Sequence, residues 1–92
     1  MGRAEDAEQL QIIQKAARTV GESLDWADHG GGEEAWDLIR RQPAVVRTAY
    51  AALSATVRGR ISGELLDNFA RFPEHYWHRL EDAVLAQLST DG

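Results

Sequence analysis

Apolar side chains recur at three- and four-residue intervals from residue 10 to residue 88, and no stretch alternates with period two over a useful length. That rhythm predicts helices and no strand. In the segment 73–88, Trp77, Leu80, Val84 and Leu88 fall on one narrow stripe, with His75, His78 and Asp82 on the opposite face. Pro73 suits the first helical turn, where a missing N–H costs nothing, and Glu74 complements the positive end of the helix dipole. This is the clearest two-faced helix of the chain, and the other elements are expected to pack around it.

A longer helix is predicted over 4–28, with Leu10, Ile13, Ala17, Val20 and Leu24 in its stripe. The stripe keeps phase through Gly21, so one helix is expected, with close backbone packing or a slight bend there. A break at Gly21, with Ser23 capping a second helix, is the alternative. Ile12 and Trp26 lie off the stripe and mark either a second buried side or a contact surface. The stretch 29–32 reads as a Gly-rich loop. It is not a phosphate cradle, because Glu33 and Glu34 follow it and no Lys or preceding strand accompanies it.

A short helix over 33–41 comes next, its apolar face carried by Ala35, Trp36 and Ile39. Gln42-Pro43 is expected to break the chain, since the residue before proline avoids the helical region. A further helix spans 43–58 with Val46, Tyr50, Leu53 and Val57 aligned. Its back, with Arg47, Thr48, Ala51, Ala55 and Arg58, is small enough for another helix to lie against it. Gly59 stops that helix, and Ser62 caps one over 63–72 striped by Ile61, Leu65, Phe69 and Phe72. On a continuous helix this stripe and the next would sit roughly 90° apart, so a break is expected at Pro73. The fold class is all-α, with a single domain over 1–92. It forms a compact bundle or orthogonal array of four to five helices, loose at 1–4 and 89–92. Apart from Ile61, the stripe residues named above, with Trp36 and Ile39, form the expected core.

Composition narrows the function. A chain of 92 residues buries a modest core, and with no cysteine no disulfide or thiolate site reinforces it. The net charge of −5 is uneven. Residues 36–79 hold seven arginines against four acids, while residues 1–35 hold eight acids against three bases. The acidic arms are expected to lie against the basic middle, and the overall acidity disfavours polyanions. Residues 1–9 are polar and acidic rather than signal-like, and no run approaches the ~18 apolar residues of a membrane span, so a cytoplasmic place is expected.

Catalysis has little support. There is no Cys nucleophile and no Gly-x-Ser-x-Gly elbow, so neither an enzyme nor a cofactor is expected. His75, His78 and Asp82 share one helical face and are metal-ligand types, but the motif is short. The favoured reading is a solvated face with a weak His78–Asp82 pair. A helix-turn-helix DNA reader using 43–72 is the alternative function. Its outward Glu64 and Asp67 would face phosphate, which makes nucleic acid the weaker partner. The favoured reading is a non-catalytic interaction module, an adaptor, inhibitor or regulatory subunit. Its partner is another protein or a second copy of the chain, with Ile12, Trp26, Arg40, Arg41 and Arg47 as candidate contacts.

Overall fold

In the computed structural model, which describes residues 3–90, the periodicity becomes four helices and one single-turn helix. These are α1 (Arg3–Trp26), α2 (Gly32–Ala51), the short α3 (Ala55–Arg58), α4 (Gly63–Arg71) and α5 (Pro73–Thr90). No strand occurs among the described residues. α1 is flanked by α2 and α5, and α4 packs on α5. The long dimension of 42 Å approaches the length of α1, about 36 Å at 1.5 Å per residue. The expected loose ends fall partly outside the described residues, and the backbone is already helical at Arg3 and still helical at Thr90.

α1 runs unbroken through Gly21, and the reason is packing. A Cβ placed on Gly21 would meet ring atoms of Trp77 at 2.6–2.8 Å, so the indole of α5 lies directly on the α1 backbone. α1 and α2 are joined by the turn Ala27–Gly31, where His29 and Gly30 leave helical geometry. Gly30 has φ +101° and Gly32 φ +54°, conformations that favour glycine.

The break expected at Gln42-Pro43 does not occur, because α2 passes through Pro43. Proline removes the bond to the Ile39 carbonyl at a cost of about 3 kcal/mol. Ile39, Val46 and Ala49 lie on both sides of Pro43 and are all buried in the core. Burial of aliphatic side chains at about 1.5–3 kcal/mol each outweighs that cost and keeps the helix in line. The Gln42 side chain adds a bond of 2.9 Å to the Leu38 carbonyl.

The helix expected over 43–58 stops instead at Ala51. The Ser54 N–H goes to Oδ1 of Asp6 at 2.9 Å, and its hydroxyl goes to Oδ2 at 2.8 Å. The donor that would have continued α2 is thus taken by α1. The same hydroxyl oxygen accepts from the Val57 N–H and opens α3. Ser62 caps α4 as expected, accepting from the Leu65 N–H at 3.2 Å. The break before Pro73 is present, with Phe72 at φ −136° and ψ 66°.

Leu10, Ile13, Ala17, Val20, Ile39, Val46, Leu53, Val57, Phe69, Leu80 and Val84 are buried as expected. Leu24, Trp36, Tyr50, Leu65, Trp77 and Leu88 pack at the margin of that cluster. Phe72 is a correction. It is 51% exposed, because the turn at Pro73 takes it out of the α4 periodicity and its ring lies beside His75. Ala16, Ala35, Ala49 and Ile61 are buried instead. The back of the second half of α2 is uncovered, with Arg47, Thr48 and Ala51 exposed.

Candidate functional site

Two surface features bring functional residue types together. The first is the outer seam of the α1/α2 hairpin. Ile12 is 38% and Val45 39% exposed, and both line one groove between the helices. One end, about 370 Å³, is completed by Gln9, Ala44, Thr48 and Ala49. The other, about 230 Å³, is completed by Lys15, Ala16, Thr19 and Gln42. Alanine and threonine side chains line this shallow groove together with Gln9, Lys15 and Gln42, and Ile12 and Val45 are shared by its two ends.

The second feature is a cleft between α2 and the α4–α5 corner. A hollow of about 140 Å³ lies among Val46, Arg47, Tyr50, Leu66 and Asp67. A larger one, about 400 Å³, lies among Trp36, Arg40, Arg71 and Glu74. Pro43 and Ala70 border both. Arg40 donates to Asp37 at 2.8 Å and lies 4.0 Å from Glu33. Arg47 and Arg71 make no ion pair among the described residues, and one carboxylate oxygen of Glu74, Oε1, is buried with no hydrogen-bond partner among them.

The candidate partner contacts therefore separate. Ile12 stands in the seam. Arg40 and Arg47, seven positions apart on one face of α2, line the cleft, whereas Arg41 is exposed and lines neither hollow of it. Trp26, 41% exposed, is the last residue of α1 and lies against the turn. A Cβ on Gly31 would meet its indole at 2.6–2.7 Å, so the ring covers that glycine. Val45, Arg71 and Glu74 were not among the expected contacts. Val45 carried the same signal as Ile12, an aliphatic residue off its helix stripe. Glu74 gave none, since a carboxylate in a first helical turn already has a role with the dipole.

Between the acidic first segment and the basic middle, Glu33 lies 4.0 Å from Arg40, and Asp6 accepts from Ser54. The buried acid of the last segment turns to α1 instead: Oε2 of Glu81 accepts from Gln14 at 2.7 Å and from Arg18 at 3.0 Å. His75, His78 and Asp82 do not converge. His78 Nδ1 lies 3.4 Å from Asp82, while the His75 ring lies by Phe72, and no three potential ligands cluster among the described residues. The helix-turn-helix frame loses its geometry, because α2 ends at Ala51 and the single-turn α3 stands between it and α4.

No helix among the described residues is long and apolar enough to cross a membrane. Comparison with known proteins finds no matching family model, no matching curated protein and no matching solved structure.

Proposed function

We propose that the chain is a non-catalytic, cytoplasmic interaction module, an adaptor, inhibitor or regulatory subunit, whose α1/α2 seam receives an amphipathic helix of a partner protein. The supporting observation is the meeting of exposed Ile12 and Val45 in a shallow groove with Ala16, Ala44 and Ala49. A groove between two helices accepts the apolar stripe of a third, read as anchors at i, i+3 or i+4, and i+7. The occupant carries carboxylates beside that stripe. Lys15 lines the groove and Arg41 sits one turn before Val45, and neither makes an ion pair among the described residues.

Ile12→Asp and Val45→Asp test this. Both positions are exposed, so helicity and Tm should stay near wild type. A partner captured from the native host is purified, and its affinity is measured by calorimetry. Each substitution should weaken binding at least about tenfold, the effect of about 1.4 kcal/mol. Unchanged affinity overturns the reading. So does a wild-type dimer in sedimentation that Val45→Asp dissociates, because a second copy then occupies the seam.

A further inference from the structure

The cleft carries an inference separate from the seam. We propose that the hollow beneath Trp36 binds a small zwitterion of the free α-amino acid class with an apolar side chain. Its ammonium meets Glu74, and its carboxylate meets Arg71 and Arg40.

Glu74 lines the hollow, and its Oε1 is buried without a donor among the described residues. A carboxylate oxygen held out of water needs an N–H or O–H partner, and a charged acceptor left alone is costly. Arg71, at the end of α4 and across the break at Phe72, lines the same hollow and makes no ion pair among the described residues. Arg40 lies on the α2 side. Its Nη1 is engaged with Asp37 and Glu33, and a guanidinium has five N–H donors, so others remain. The remaining lining is apolar: Trp36, Ile39, Pro43 and Pro73 among others. At about 400 Å³ the hollow falls within the usual range of small-molecule sites, about 300–1,000 Å³.

The arrangement of charge selects the ligand. A simple anion satisfies the arginines but is repelled by Glu74. A simple amine satisfies Glu74 but faces two guanidinium groups. Only a molecule carrying both signs close together meets both, and an apolar side chain then lies against Trp36 and Pro43.

The test is a titration of the full chain followed by ¹H–¹⁵N correlation spectra. The probes are L-phenylalanine and L-leucine, with 3-phenylpropionate and 2-phenylethylamine as halves of the first. At least one amino acid should give saturating shifts at the Trp36 indole N–H and the Ala70 amide. Each half should bind at least about tenfold more weakly than phenylalanine, or leucine if that is the ligand that binds. Glu74→Gln should abolish the preference for the amino acid over the propionate. Absence of saturable shifts with both amino acids overturns the proposal. Equal binding of a half-ligand to wild type overturns it too, whatever the variant does. A Glu74→Gln variant that keeps its wild-type spectrum and its selectivity overturns it as well.

Discussion

The two flanks of α1 are sealed by different means. Toward α5 the joint interlocks. Trp77 lies on Gly21, Leu80 and Val84 are fully buried, and Glu81, 3% exposed, is held by Gln14 and Arg18. Toward α2, Ala16 and Ala49 line the seam, while Ile39 and Val46 of α2 are buried in the core. Small residues permit close approach but fix no register by shape. They also leave the outer edge open at Ile12 and Val45. In a chain this small, the interlocked flank fixes its register by shape, while the α2 flank leaves Ile12 and Val45 as exposed apolar surface.

The largest effect should come from breaking the interlocked flank. Gln14→Leu with Arg18→Leu leaves the Glu81 carboxylate buried without its two donors. An unmet buried acceptor costs roughly 1–3 kcal/mol, and more when charged, so a loss of about 2–4 kcal/mol is expected in urea unfolding. Adding Glu81→Leu removes the stranded charge and should restore most of the loss, as replacement of buried ion pairs by apolar groups does. A triple variant no more stable than the double would mean that Glu81 is not the keystone of this flank. The two flanks would then be sealed by similar means.

These flanks also explain what the sequence could reveal. Periodicity exposed the stripes of α1, α4 and α5 because each buries one face, and a stripe is a local property. It also showed Ile12 as misplaced. It could not show that Asp6 would take the Ser54 N–H, a contact across 48 positions that ends α2. Nor could it weigh Pro43 against the burial of Ile39 and Val46, which only tertiary packing supplies. The cleft was illegible for the same reason. Arg40, Arg71 and Glu74 each have an ordinary local role, and only the fold sets them around one hollow.

A medium effect sharpens the comparison on the interlocked side. Gly21→Ala gains up to about 1 kcal/mol of helix propensity. Its methyl group would sit 2.6–2.8 Å from the Trp77 ring, and displacing a packed indole costs roughly 1–3 kcal/mol. The variant should therefore be destabilised by up to about 2 kcal/mol, and Trp77→Leu in the same background should remove that penalty. If Gly21→Ala alone raises Tm, the indole yields freely and the joint does not interlock there.

The smallest effects are electrostatic and lie at the two ends of the α1/α2 hairpin. At one end, the Ser54 backbone N–H first and its hydroxyl second hold the Asp6 carboxyl below its ordinary value of 3.8, against a slight opposing desolvation. A folded-state pKa below the unfolded one means that this tie is fully present above the unfolded value, about 3.9, and is lost as pH falls through the folded one. At the other end, His29 is raised above its ordinary value of 6.5. The main cause is its Nδ1–H bond of 2.7 Å to the Asp25 carbonyl, followed by the Asp25 charge, with desolvation opposing and Asp28 adding a little. That contribution is full below the ordinary value and fades as pH rises through the raised one. Tm measured against pH should separate them. Asp6→Asn should flatten the slope in the acid limb only, and His29→Gln the slope near neutrality only. Salt should shrink the part of the His29 difference that comes from the Asp25 and Asp28 charges and leave the Asp6 difference, which rests on bonds to the neutral Ser54, largely in place. Ser54→Ala removes the α3 cap as well, so it should lower Tm at every pH, by the equivalent of about 1 kcal/mol. If Asp6→Asn leaves the acid limb unchanged, this end of the hairpin is held by apolar contact alone, like the rest of the α2 flank.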